Sequence, residues 1–187
     1  LRLGANLGLA AAQNRGMQYL AAVGNCTHVL LLDQDSEPLP GSANALADAH
    51  SVLMASGHPV GAVGPSLRDP LSGVQHGFHR IVGWRWARIV PVDGAPVPCE
   101  SLNGSGTFMA LNLALSLGGM DEGLFIDHVD TDWSFRLLAS GHRLYGVPEA
   151  SFLHRMGDRT TRLWLFGWRV WPVRSPQRHR YLFRNAV

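Results

Sequence analysis

Apolar positions over the first 65 residues change spacing three times, and each change predicts an element. Leu9, Ala12, Met17 and Leu20 recur at helical intervals after a glycine turn at Gly8. Val29 to Leu32 form an unbroken apolar run, the pattern of a strand buried on both faces in a parallel sheet. That run stops at Asp33-Gln34-Asp35-Ser36, and Pro38 and Pro40 prevent its extension. Ser42 is a suitable N-cap for a helix through Ala45, Leu46, Ala49 and Leu53, closed by Gly57. Val60 to Val63 is a second buried run, ended by Gly64-Pro65. Strand, helix and strand at this spacing predict a βαβ unit in a parallel sheet.

Periodicity then fades. Residues 66–98 carry eight of the chain's prolines and glycines between weakly periodic Ile81, Trp84, Trp86 and Ile89, which predicts a functional loop or an edge hairpin. Asn112 can cap a helix through Leu117, stopped by Gly118-Gly119, and a further helix is predicted from Asp130 to Gly141. Leu144 to Val147 and Ser151 to Leu153 read as two short strands. Residues 161–187 alternate tryptophan and phenylalanine with arginine. We divide the chain into a domain over 1–160 and this tail, which would pack on the domain or on an anionic membrane surface.

Composition narrows the choice. With 46% hydrophobic and 16% charged residues in 187, the chain can bury one α/β core. A net charge of +2 gives no argument for nucleic acid. Cys26 and Cys99 are far apart and read as reduced thiols of a cytoplasmic protein. No apolar run reaches the length of a membrane span.

The chemistry lies where apolar runs end. Ligands of open α/β sheets sit beyond the carboxyl ends of strands, where Asp33 and Asp35 fall. In an extended chain their side chains point the same way, and two hard oxygen donors suit Mg²⁺ or Mn²⁺ that also binds a diphosphate. Asn103-Gly104-Ser105-Gly106-Thr107 offers close backbone approach and hydroxyl donors without the lysine of a P-loop. Asp121, Glu122, Asp127, Asp130 and Asp132 crowd among Leu124, Phe125, Ile126 and Trp133, and a carboxylate held among others is suited to general-base work. His154, at a strand end, is a candidate third metal ligand.

Taken in order, these motifs resemble the inverting nucleotide-sugar glycosyltransferases of the GT-A type (glycosyltransferase family 2), bacterial rhamnosyltransferases most of all. The carrying residues are Asn6-x-Gly8 with Asn14, Leu31 to Ser36, Gly118 to Glu122, Phe125 to Trp133, Arg136, Gly141, His154 and Tyr181 with Arg184-Asn185. The resemblance implies a Rossmann-like α/β fold whose mixed, mostly parallel sheet is flanked by helices. The chain starts after that family's first nucleotide-binding strand, so the sheet is expected to lack it. It implies Asp35 and His154 as metal ligands, with Asn6, Gly8, Asn14, Asp33, Gln34 and Asp35 binding the nucleotide-sugar. Asp130 would be the catalytic base. Gly104, Ser105, Asp127, Asp132 and Trp133 are expected to shape the site or meet the acceptor.

The expected donor is dTDP-L-rhamnose, with a UDP-sugar as the alternative, and the expected acceptor is a saccharide or polyprenyl-linked saccharide. The expected setting is cell-surface polysaccharide synthesis in the cytoplasm, with peripheral contact at the inner face of the membrane and no nucleic acid. The competing reading is a non-catalytic, truncated glycosyltransferase fold that only binds a partner.

Overall fold

A computed structural model describes residues 1–70, 73–91, 93–155, 159–164, 167–173 and 175–186. At the centre of its sheet lie β3 (Val60–Arg68) and β9 (Arg143–His154), which run parallel. Both are buried on two faces because adjacent residues serve opposite cores. Ala62 and Leu144 pack under the helices α1 (Leu9–Val23), α3 (Leu111–Ser116) and α4 (Val129–Ala139). Their neighbours Val63 and Tyr145 pack with Leu46 of α2 (Ser42–Ala55) on the other face. The mixed α/β sheet flanked by helices is therefore as expected.

The sheet is not mostly parallel. Its path adds β1 (His28–Leu30), β8 (Phe108–Ala110) and β2 (Ser36–Pro38) in the order β1-β8-β3-β9-β2, and only β3 with β9 is a parallel pair among the described strands. The strand–helix–strand rule fixed the direction of β1 and β3 but not their adjacency. Both are antiparallel to β8, so they run the same way with β8 between them. The predicted run Val29 to Leu32 is correspondingly an edge strand: Val29 and Leu31 are buried while Leu32 is 49% exposed.

Other boundaries also shift. The two short strands predicted over residues 144–153 are one strand, whose register against β3 slips between Pro65 and Ser66. Ser42 does not cap α2. Gly41 holds the cap position at φ 82°, and the Ser42 hydroxyl donates instead to the carbonyl of Ser151, tying α2 to β9. Residues 66–98 contain β4 (Gln75–His76), an antiparallel hairpin of β5 (Phe78–Val82) and β6 (Arg85–Ile89), and β7 (Val97–Cys99). Cys26 and Cys99 are free thiols, and burial pushes Cys99 up to about 12.

The tail forms a hairpin of β10 (Arg159–Trp164) and β11 (Trp168–Val173), then α5 (Pro176–Arg184). Ser175 caps α5 by accepting from the Arg178 amide, and Pro176 suits its first turn. Trp164 and Trp168 are exposed cross-strand partners. Phe166 and Arg174 of the aromatic–arginine pattern lie outside the described residues, as do the side chains of Arg162, Arg169 and Trp171. Among the described residues no helix is long and apolar enough to cross a membrane.

Candidate active site

Asp33, Asp35 and His154 converge, and the reason is a turn rather than an extended strand. The Ser36 amide donates to the Asp33 carbonyl at 3.1 Å, closing a β-turn over Asp33 to Ser36. The chain reverses there, passing from β1 at one end of the strand order to β2 at the other. Ser36 then pairs with His154 in the β2–β9 register, which brings the imidazole beside the turn. One ligand atom from each of Asp33, Asp35 and His154 lies within 4.8 Å of the others.

The turn is held from behind by hydroxyls. Ser105, fully buried, donates to the Ser36 hydroxyl at 2.6 Å and accepts from the Asp33 amide at 3.3 Å. Ser36 in turn shares a 2.7 Å hydrogen bond with Nδ1 of His154. The same Nδ1 lies 3.6 Å from a carboxylate oxygen of Asp35, so Ser36 fixes the ring with that nitrogen beside the acids. Asn103 supports the same loop by accepting from the Ser105 amide, and the Gly106 amide reaches the Leu31 carbonyl at 2.7 Å. Gly106 sits at φ 87°, and a Cβ there would lie 2.3 Å from Pro65, so only glycine fits.

Two oxygens and a nitrogen at this separation fit Mg²⁺ or Mn²⁺. The electrostatics agree. Burial, opposed by His154 and reinforced by Asp35 and Asp130, holds the Asp33 carboxyl above its usual range. Crowded carboxylates of this kind are relieved by a cation.

Asp130 opens onto the same cavity, of about 740 Å³, along with Asp33, Asp35, His154, Gln34 and Gly104. It stands in the first turn of α4 and accepts from the amides of Gly104 at 3.2 Å and Thr131 at 2.9 Å. The other four acids of the cluster have different partners. Asp121 accepts from the Gly123 amide, Glu122 from Asn14, and Asp132 from Arg136 at 2.8 Å. Asp127 is bound by Arg178 at 2.7 Å. Trp133 is buried, donates to the Met109 sulfur and lines the cavity. Asp132 does not line it.

The segment leading to Asp130 is conformationally costly. Phe125, Asp127 and His128 all have φ between 62° and 64°, a region that costs non-glycine residues about 1–3 kcal/mol each. α5 holds it there. The Asn185 amide donates to the carbonyls of Leu124, Ile126 and Asp127 at 2.9–3.0 Å, and Arg184 donates to those of Gly123 and Leu124. Tyr181 stacks on Phe125 with ring centroids 4.9 Å apart.

No profile of a known protein family matches the chain. It is 30% identical, over 98% of its length, to the dTDP-rhamnosyl transferase RfbF of Shigella flexneri. It is 29% identical, over 87% of its length, to the N-acetylglucosaminyl-diphospho-decaprenol L-rhamnosyltransferase of Mycobacterium tuberculosis. It spans 60% of the length of these relatives. Among solved structures it superposes on GalNAc-T7, crystallised with UDP, GalNAc and Mn²⁺, with a TM-score of 0.58. That match covers 79% of this chain and 30% of the other at 18% identity, and it shows the fold. This is a GT-A glycosyltransferase fold, rhamnosyltransferase-like in sequence.

Within this GT-A chain, three residues expected at the nucleotide lie outside the cavity lining. Asn6 accepts from the Gly8 amide at 3.1 Å. Gly8, at φ 88°, lets Phe125 pack against the backbone, where a Cβ would lie 2.5 Å from the ring. Asn14 is buried against the loop after α3. It donates to the Met120 carbonyl and accepts from the Met120 amide at 2.7 Å. Their neighbours Leu9 and Gln13 do line the cavity.

Sequence reasoning missed Ser36, Arg178 and Leu182. The alternation of the tail hid the pairing of Arg178 with Asp127, although Asn185 and Tyr181 stood among the resembling residues.

Asp33 gives a pH prediction with a definite sign. A carboxyl raised in the folded state adds stability below its unfolded pKa and loses that contribution as pH rises through the folded pKa. Metal-free Asp33→Asn is therefore expected to melt above the metal-free wild type at neutral pH. The gap should close as pH falls through the raised pKa of Asp33. Thermal unfolding with and without Mn²⁺ checks this, and Mn²⁺ should stabilise the wild type selectively.

Proposed function

We propose that this chain carries the catalytic centre of a metal-dependent, inverting glycosyltransferase. It would move L-rhamnose from dTDP-L-rhamnose to a saccharide or polyprenyl-linked saccharide acceptor, in the cytoplasm or at the inner face of the membrane, during cell-surface polysaccharide synthesis. A UDP-sugar is the alternative donor. The observation that carries the reading is the shared cavity: an Asp-Asp-His cluster stands at the turn, and Asp130 opens onto the same space from α4. The rhamnosyltransferase names of the relatives supply the sugar.

Asp33, Asp35 and His154 would hold Mg²⁺ or Mn²⁺, which when bound supplies Lewis-acid stabilisation of the diphosphate leaving group. Gln34 lies in the same turn and lines the cavity, where it would meet the donor. Asp130 accepts the acceptor hydroxyl proton as the oxygen attacks the anomeric carbon from the face opposite the leaving diphosphate. Attack from that face inverts the centre. The amides of Gly104 and Thr131 fix the base carboxylate and leave lone pairs for the incoming proton.

Asp127 sets the approach to Asp130 through Arg178, while Asp132 and Trp133 seat α4 through Arg136 and Met109. Asn6, Gly8 and Asn14 act on the donor indirectly, by placing the Leu9–Gln13 turn of α1.

The test is turnover of dTDP-L-rhamnose with a saccharide acceptor, with and without Mn²⁺, followed by NMR of the new anomeric centre. A metal-dependent product of inverted configuration is expected. Retention of configuration, or donor binding without transfer in the full-length protein, would overturn the reading. Donor binding without transfer would favour the non-catalytic module.

A further inference from the structure

The β5–β6 hairpin carries a side chain that the fold does not use. Gly83, at φ 62°, opens a two-residue turn between the paired Val82 and Arg85, and it places Trp84 at the tip, 102% exposed. Val82 beside it is 62% exposed. A folding role would bury these side chains, because an apolar side chain left in water contributes nothing to the core.

Charge says what covers them. The sequence has no carboxylate between Asp69 and Asp93, whereas Arg80, Arg85 and Arg88 all fall within the hairpin. Arg85 and Arg88 are exposed, and Arg80 leans toward Glu100 at 4.0 Å. Apolar residues and tryptophan at a tip, with the exposed Arg85 and Arg88 behind them and the adjacent carboxylate, Glu100, held at the base by the Ile81 amide, are complementary to the headgroup layer of an anionic bilayer.

Position supports the same occupant. The hairpin is anchored at its base by the His79–Ser101 bridge and by the Glu100 amide on the His79 carbonyl. The chain runs directly from Ser101 to Leu102, Asn103 and Gly104, which line the cavity. Trp86 also lies 6.1 Å from Phe135 of α4, the helix that bears Asp130. The hairpin thus abuts two elements, the segment 101–104 and α4, other residues of which line the cavity that holds the base.

We propose that the β5–β6 hairpin docks this protein on anionic phospholipid, with Trp84 and Val82 entering the headgroup region and Arg85 and Arg88 meeting lipid phosphates. The docking itself is independent of catalysis. Only its purpose, presenting the cavity to a lipid-linked acceptor, rests on the function proposed above.

Vesicle co-sedimentation of the whole protein, without donor or metal, tests it. Binding is expected to phosphatidylcholine vesicles containing about one-third phosphatidylglycerol, at least about tenfold tighter than to phosphatidylcholine alone, since each arginine near an anionic surface adds attraction. The double variants Val82→Ser/Trp84→Ser and Arg85→Glu/Arg88→Glu should each weaken it by at least about tenfold. Brominated lipids should quench wild-type tryptophan fluorescence more than that of Trp84→Phe, a readout that a well-tolerated exposed change leaves intact. The proposal is overturned by absent binding, by equal binding to neutral vesicles, or by tip variants that bind like the wild type. It is overturned equally if the tip variants alter only the KM for a soluble oligosaccharide. Each of these outcomes leaves Mn²⁺-dependent nucleotide binding, and so the proposed function, to be judged separately.

Discussion

Asp130→Asn is expected to lower kcat by about 10²–10⁴-fold while leaving donor affinity and melting temperature close to wild type. The substitution is nearly isosteric, and an amide oxygen can still accept from Gly104 or Thr131. What is lost is the lone pair that takes the acceptor proton. A thousandfold loss corresponds to about 4 kcal/mol of transition-state stabilisation, far more than one hydrogen bond to the backbone contributes. The size of the effect therefore separates a base from a capping residue. Acid groups in a first helical turn interact favourably with the helix dipole, and losing that alone changes stability by about 0.3–1 kcal/mol and leaves turnover unaffected. Steady-state kinetics with titration of the donor distinguishes the two. Transfer within tenfold of wild type would remove Asp130 from the role.

Asn185→Ala is expected to have the second largest effect, through a residue that does not line the cavity. Its side-chain amide donates to three carbonyls, those of Leu124, Ile126 and Asp127, in a segment whose Phe125 and Asp127 are held at positive φ. Without it the strained segment can relax toward ordinary conformations, shifting the start of α4 and Asp130 with it. We expect kcat to fall by at least about tenfold with donor affinity little changed, because small displacements of a positioned group cost heavily in rate. Stability should fall by about 1–3 kcal/mol, the cost of leaving buried carbonyls unsatisfied.

Arg178→Ala tests the same clamp from the other side. It leaves Asp127, with its side chain 5% exposed, without its 2.7 Å partner. A fully buried pair broken this way loses about 3–5 kcal/mol, but Arg178 is 39% exposed, so about 2 kcal/mol is expected. Chemical denaturation and kinetics on both variants check the account. An Asn185→Ala protein with unchanged kcat would show that α5 only covers the loop.

How much of this was legible beforehand depended on whether the signal was local. The strand end at Asp33-Gln34-Asp35 and the helix opening at Asp130 were readable, because an apolar run cut off by carboxylates, and acids before Phe135 and Leu137, are short-range patterns. The geometry joining Asp33 and Asp35 was not. A β-turn and an extended chain both bring residues two apart toward one ligand, and only the Ser36–His154 register decides between them. Strand adjacency was equally hidden: β8 is three residues long and enters between β1 and β3 from far downstream, beginning at Phe108 where β3 ends at Arg68, which no local period records. Asn14 was legible as polar in an apolar helix, but its partner Met120 is 106 residues away, so its structural use could not be read. The pairing of Arg178 with Asp127 was masked because nothing in the composition of the tail separates an arginine that binds the 123–127 loop from its neighbours.

Titration calorimetry with dTDP asks whether a divalent cation joins the Asp33–Asp35–His154 cluster to a nucleoside diphosphate, as proposed above. The wild-type protein should bind dTDP in the presence of Mn²⁺ and lose at least about tenfold in affinity either when Mn²⁺ is replaced by a chelator or when Asp35 is changed to alanine. Equal dTDP affinity in all three titrations would show that no cation links the cluster to the diphosphate.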